Sequence, residues 1–207
     1  MKPVKTAIIG CGMISNIYIR NLQNLFHIID LTTLCDVRKE NAQEKAKMYG
    51  VPKVMTLDEL SSSDEIELAV NLTGPGAHYS VSKKMLESGK HVFSEKTLAV
   101  TMAEGIELVN LANEKGLYLG AAPDTVLGAG LQTARKAIDT GWIGKVTSCY
   151  ASINRNQILN SELFHFIQKD RGGAFSARCR CVLCGCTGQS IGAGKSGEWL
   201  LCESAVP

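Results

Sequence analysis

Short apolar runs alternate along this 207-residue chain with longer segments of helical spacing. The first run, Ala7 to Ile9, stops at Gly10, and Gly10-Cys11-Gly12-Met13-Ile14-Ser15 then opens into an amphipathic segment from Asn16 to Leu25. This order predicts a strand, a glycine turn and a helix. A second apolar run, Ile28 to Leu34, ends in Cys35-Asp36. Arg38 to Tyr49 has helical spacing, and Gly50 is placed to end it. Val51 to Met55 is a short strand-like piece, and Leu57 to Leu60 reads as a helical turn running into three serines. Glu67 to Thr73 predicts the next strand, and a helix from Tyr79 to Ser88 closes at Gly89. His91 to Lys96 predicts a strand, Met102 to Lys115 a helix closed by Gly116, and Leu117 to Ala122 a further strand.

Strands and helices in strict alternation, joined by short connections, specify a parallel sheet covered on both faces. The expected fold is therefore α/β: a doubly wound Rossmann-type domain over residues 1–123. The period then changes. Gly128 to Thr140 has helical spacing and ends at Gly141, while Lys145 to Asn154 alternates through Val146, Ser148, Tyr150 and Ser152 as a strand does. Ser161 to Lys169 carries Leu163, Phe164, Phe166 and Ile167, and Arg171-Gly172-Gly173 reads as a turn. Residues 124–175 thus read as the entry to a second domain, and the composition of residues 176–207 shifts again toward Cys and Gly.

The glycine turn carries the first candidate chemistry. Gly10 permits a tight turn, Gly12 lets the backbone approach a pyrophosphate without a Cβ in the way, and the N–H groups of Met13, Ile14 and the helix start are donors for phosphate oxygens. Ser15 stands at the third glycine position and is small enough for close helix–strand packing. Asp36 lies 21 residues after Ser15, where a dinucleotide-binding unit needs a carboxylate for the adenosine ribose. That carboxylate should favour NAD by repelling the 2′-phosphate of NADP. Arg38, two residues on, is a guanidinium that can turn toward such a phosphate, so NADP stays possible. Thr73-Gly74-Pro75-Gly76-Ala77-His78 forms a loop on the side where cofactors sit, outside the carboxyl ends of the strands, which makes Thr73, Pro75 and His78 candidate contacts. His78 is open to two assignments, a polar residue starting a helix or a cofactor contact.

Composition narrows the function classes. Hydrophobic residues make up 45% and charged residues 20%, as in soluble globular proteins. A net charge of +2 with no Lys/Arg cluster leaves no electrostatic footprint for nucleic acid. Met1 to Ile9 is too short and too β-like for a secretory signal, and no apolar run approaches membrane-spanning length, so a cytoplasmic protein without a membrane partner is expected. Cys11, Cys35 and Cys149 are scattered, as small buried residues in a reducing compartment would be.

Gly10-Cys11-Gly12-Met13-Ile14-Ser15, Ser94-Glu95-Lys96, Ala122-Pro123-Asp124-Thr125 and Gly141-Trp142-Ile143-Gly144-Lys145 together resemble the glucose-fructose oxidoreductase and inositol dehydrogenase family, Gfo/Idh/MocA, from residue 4 to about residue 174. The resemblance implies an NAD(P)-binding Rossmann domain followed by an α/β domain whose large open sheet builds the substrate site and mediates oligomerisation. It also implies hydride transfer between a nicotinamide and a sugar, inositol or related polyol. Glu95 and Lys96 match the family's Glu-Lys-Pro motif, in which the Lys lies beside the nicotinamide and the substrate hydroxyl. Lys96 is thereby the expected catalytic residue, since an ammonium near the reacting oxygen stabilises developing alkoxide charge and can take part in proton transfer. Thr97 replaces the family's Pro. A second possibility is a Rossmann module that binds a dinucleotide without turnover.

From Ser176 the resemblance stops. Cys179, Cys181, Cys184, Cys186 and Cys202 crowd the end of the chain, and Gly194-Lys195-Ser196 imitates a phosphate loop. Gln189 stands where that loop needs Gly, and no cysteine pair has a zinc-ribbon partner downstream, so no metal site is expected. A shift of the reading frame explains both features. With each codon displaced by one base, Phe175 to Gly194 can be read as FLHDAGVYYVAALVNLLGPV, which resembles what the family carries after its Gly-Gly turn. A truncated chain with an out-of-frame tail and an impaired family homo-oligomer is the resulting expectation.

Overall fold

The β1 strand, Val4–Ile9, lies at the centre of a six-stranded sheet, and its sequence alternates between two cores. Ala7 and Ile9 face one buried cluster with Ala69, Val81, Met85, Leu86, Val92 and Leu108. Ile8 faces another with Ile19, Leu31, Leu34, Ala42 and Val70. An unbroken apolar run is the signature of a strand buried on both sides. Each large aliphatic side chain buried this way contributes about 1.5–3 kcal/mol.

The structure is a computed structural model describing residues 2–122 and 124–147. The chain divides into two compact units, Met1–Ala122 and Pro123–Pro207. In the first, β1 is followed by α1 (Ser15–Asn24), β2 (Ile29–Cys35), α2 (Lys39–Tyr49), β3 (Lys53–Val54), α3 (Leu57–Ser62), β4 (Leu68–Asn71), α4 (Pro75–Glu87), β5 (His91–Ser94), α5 (Met102–Glu114) and β6 (Leu119–Ala121). The strand order is β3-β2-β1-β4-β5-β6 with every pairing parallel, the doubly wound Rossmann arrangement. Progress along the chain reverses between β1 and β4, and that switch point opens the crevice where ligands bind in such sheets.

Register places the site. Ile9 pairs with Cys35 on one side and Asn71 on the other, and Asn71 pairs with Ser94. The residues that follow these strands, Gly10, Asp36, Leu72 and Glu95, therefore emerge side by side along one edge of the sheet.

Several boundaries differ from the sequence expectation. The α4 helix starts at Pro75 rather than Tyr79, because Pro at the first helical position lacks only a donor that would be unpaired anyway. His91 to Lys96 is extended only to Ser94, so Glu95 and Lys96 stand beyond the strand. The predicted turn at Leu57 to Leu60 is a full helix through Ser62, started by a capping box in which Thr56 and Glu59 exchange side-chain-to-backbone bonds. Thr101 and Glu104 form the same box at the start of α5. Gly50 ends α2 at φ +68°, a left-handed conformation that a side chain would strain.

In the second unit a 3-10 turn, Asp124–Leu127, leads into α6, Ala129–Asp139. Residues 145–147 belong to no strand; the rest of the strand expected through Asn154 lies outside the described residues. The same holds for the segment 161–169, the turn at Arg171, and the cysteine-rich tail with its metal, phosphate-loop and frame-shift interpretations. Among the described residues no helix is long and apolar enough to cross a membrane.

Candidate functional site at the carboxyl edge of the sheet

The glycine turn sits at the switch point, and its two glycines serve different purposes. Gly10 has φ +100°, and a Cβ there would lie 2.7 Å from the carbonyl carbon and oxygen of Leu72. It is glycine because the turn packs directly on the end of β4. A Cβ on Gly12 would meet nothing within 4 Å, so Gly12 faces open space above the turn. Among the described residues, the backbone N–H groups of Gly12, Met13 and Ile14 donate to no acceptor. The Met13 side chain is 88% exposed and Ile14 is exposed as well, which leaves their backbone amides as the groups able to serve a ligand. Ser15 is fully buried, and its Oγ donates to the Gly12 carbonyl at 2.7 Å. A third glycine is thus replaced by a residue small enough to pack and able to brace the turn.

Asp36 is tied to this turn. Its Oδ2 accepts from the Cys11 N–H at 2.7 Å and its Oδ1 from the Arg38 N–H at 2.9 Å. Each carboxylate oxygen retains a further lone pair, so the group can still accept from ribose hydroxyls. Arg38 turns the other way: with the Asn41 amide oxygen facing it, the guanidinium donates from Nε and Nη2 at 3.1 Å each. Lys45 was not a sequence candidate. From the middle of α2 it donates to the Gly12 carbonyl at 2.9 Å and to Asn16 Oδ1, clamping the turn from the α2 side. Its helical position offered no signal, because the clamp exists only once α1 and α2 share one face of the sheet.

The chemistry of the two thiols here follows from burial. Burial pushes Cys11 up to about 12, with the charge of Asp36 adding to it and Lys45 opposing it. Burial likewise pushes Cys35 up to about 11, with Asp36 and Glu59 adding to the shift. Both are packing residues rather than nucleophiles.

On the other side of the switch point, β4 ends in Asn71, which is fully buried and fully used. Its Nδ2 donates to the His78 carbonyl and to Ser82 Oγ, and its Oδ1 accepts from the Thr73 backbone and hydroxyl at 3.2 and 2.6 Å. Pro75 is buried as the first residue of α4, a packing position. His78 is 1% exposed, with Nε2 2.8 Å from the Thr73 carbonyl oxygen and Nδ1 2.5 Å from that of Thr97. Both ring nitrogens face backbone oxygens, so this ring links the β4–α4 loop to the segment after β5.

Glu95 and Lys96 follow β5. Glu95 Oε1 accepts from the Tyr18 hydroxyl of α1 at 2.9 Å, and Oε2 accepts from the Lys96 N–H at 3.0 Å. The Lys96 side chain is half-buried, and among the described residues its ammonium has no hydrogen-bond or ion-pair partner. The Lys96–Thr97 peptide bond is cis. Among the described residues no group of three His, Cys, Asp or Glu is placed to hold a metal.

A glycine turn under an open cradle at the switch point of a parallel sheet, with a carboxylate at the end of the next strand, is the arrangement of a dinucleotide-binding Rossmann domain. A profile of the oxidoreductase family with an NAD-binding Rossmann fold matches residues 4–122, and the chain belongs to that family, Gfo/Idh/MocA. An uncharacterized oxidoreductase of Schizosaccharomyces pombe is 34% identical over 161 residues, 75% of this chain and 43% of its own length. A scyllo-inositol 2-dehydrogenase (NADP(+)) of Bacillus subtilis is 26% identical over 152 residues, 73% of this chain and 42% of its own. Among solved structures, a Bordetella pertussis dehydrogenase in complex with NADH and UDP-GlcNAcA superposes with a TM-score of 0.66 at 26% identity, over 70% of this chain and 42% of the other. The chain spans less than half the length of these relatives.

Proposed function

We propose that this chain binds a nicotinamide dinucleotide, NAD(H) in preference to NADP(H), in a fold built for hydride exchange with a secondary alcohol of a sugar, inositol or related polyol. The observation that carries the proposal is the open cradle over Gly12, lined by three N–H donors without partners among the described residues, with Asp36 beside it. A bound nicotinamide supplies the hydride acceptor or donor. The residues of the chain do the rest. Gly12, Met13 and Ile14 donate to the pyrophosphate, and Asp36 accepts from the ribose hydroxyls and repels a 2′-phosphate. Arg38 keeps its charge, but with the Asn41 amide oxygen turned toward it the guanidinium directs Nε and Nη2 to that neighbour in this conformation. Thr73 forms part of the wall at the nicotinamide end. Lys96 would donate to the reacting oxygen and stabilise alkoxide character there.

Calorimetric titration with NAD and NADP tests the binding half. Tighter binding of NADP, or an unchanged preference in Asp36→Ala, would remove Asp36 from its role. The catalytic half extends to the family's second domain. As written, the chain carries Arg178 and Val182 where the shifted frame reads an Asp and a Tyr, so we infer that it binds dinucleotide without useful polyol turnover. A paired assay of this chain and a frame-restored version, with NAD and a panel of inositols and sugars, decides this. Equal turnover by both would refute the inference.

A further inference from the structure

We propose that Tyr18 is a positioning residue that keeps Glu95 from neutralising Lys96. The proposal rests on the assignment of Lys96 given above. Glu95 and Lys96 are neighbours in sequence, and a carboxylate beside a half-buried ammonium ordinarily forms an ion pair. Here the pair does not form. The carboxylate is divided between two other donors, the Tyr18 hydroxyl on Oε1 and the Lys96 backbone N–H on Oε2, while the Lys96 ammonium keeps its donors free among the described residues.

The geometry explains why a tyrosine on α1 suits this task. The helix begins at the glycine turn, and Ser15 is fully buried against the sheet. Tyr18 lies one turn further along, partly buried, where its ring packs on the core beneath α1 and its hydroxyl reaches across to Glu95. Thr97, on the far side of Lys96, is held independently by His78. The short stretch carrying Lys96 is thus anchored at both neighbours, by one residue from the helix of the pyrophosphate turn and by one from α4. A lysine that must offer its donors to a substrate oxygen is of little use when they are occupied by an adjacent carboxylate. Occupying that carboxylate from another element leaves the ammonium available and places it by its backbone.

Tyr18→Phe removes the hydroxyl with little change in packing and frees Oε1, which can then accept from the Lys96 ammonium. The full chain, its Tyr18→Phe variant and the double variant Tyr18→Phe/Glu95→Gln are treated with trinitrobenzenesulfonate at one fixed pH, and the Lys96-containing peptide is quantified by mass spectrometry, with and without NADH. Only the neutral amine reacts, and an ion pair favours the charged form. Labelling of Lys96 should therefore fall about tenfold in Tyr18→Phe, the effect of a single carboxylate partner. It should return to the original rate in the double variant, where no carboxylate is left to pair. A loss of packing alone would not be rescued by the second substitution, and circular dichroism confirms that each variant is folded. Labelling of Tyr18→Phe at the original rate, or a fall that Glu95→Gln fails to restore, overturns the proposal. Failure of the underlying site assignment gives a different result: NADH then leaves Lys96 labelling in the original chain unprotected, whatever Tyr18 does.

Discussion

The glycine turn at Gly10 to Ser15 and the segment Glu95 to Thr97 emerge at the same level of one sheet, yet they are held in different ways. The turn is shaped largely by backbone constraints. Gly10 lies against the Leu72 carbonyl, the Cys11 N–H is fixed by Asp36, and Ser15 bonds back to Gly12. The second segment is shaped by long side chains from elsewhere, with Tyr18 reaching Glu95 across 77 positions and His78 reaching Thr97 across 19. A binding cradle of backbone amides tolerates variation in neighbouring side chains but not in its glycines. A side chain proposed to act at a substrate oxygen, as Lys96 is, needs specific partners to define its place.

The sharpest way to break this comparison is at Lys96. In a frame-restored protein, Lys96→Met should lower kcat by about 10²- to 10⁴-fold, the span expected for a positioned acid–base group, while NAD affinity changes little. Steady-state kinetics with calorimetry checks the split, and a matching loss of NAD affinity would place Lys96 at the cofactor instead. At the turn, Gly10→Ala should destabilise the fold by about 2–4 kcal/mol, since it combines a positive φ with a Cβ driven into the β4 backbone. Urea denaturation measures this. Gly12→Ala should behave in the opposite sense: stability stays within about 0.5 kcal/mol because the Cβ meets nothing, whereas NAD binding weakens by about tenfold because the Cβ enters the cradle. If both glycine variants lost stability equally, the two roles would not be separable.

The link through His78 should be worth less than the packing of Gly10. His78→Phe leaves two partly buried carbonyls, of Thr73 and Thr97, without that partner, at a cost of about 1–2 kcal/mol. Hydrogen exchange should show the loss concentrated in the β4–α4 loop and the residues after β5. The smallest effect is on pH dependence. Burial holds Cys11 at about 12 and Cys35 at about 11, against 9.0 for a free thiol, so the unfolded chain loses these protons first. Stability attributable to them is fully present below pH 9 and is lost as pH rises toward 11 and 12. Thermal melts across that window should fall less steeply for Cys35→Ala than for the original chain.

Much of the first unit was legible in the linear pattern because strand and helix periods differ and both faces of a parallel sheet must be covered. The alternation of Ala7, Ile8 and Ile9 between two cores, the ends of α2 and α5 at Gly50 and Gly116, and the place of Asp36 after β2 are local consequences of that requirement. What was not legible depended on which elements meet. The sequence gives no sign that His78 sits between the Thr73 and Thr97 carbonyls, a contact made only once α4 packs beside the residues after β5. Lys45 is an ordinary helical lysine until α1 and α2 bring it to the Gly12 carbonyl, and Lys90 would pass for a solvated turn residue, yet it is buried, with its Nζ 2.6 Å from the Ser63 carbonyl oxygen. Tyr18 carries no sign in its helix of the carboxylate it holds. Periodicity reports burial and period, which are properties of a segment, whereas a hydrogen bond between distant side chains is a property of the packed sheet and helices together.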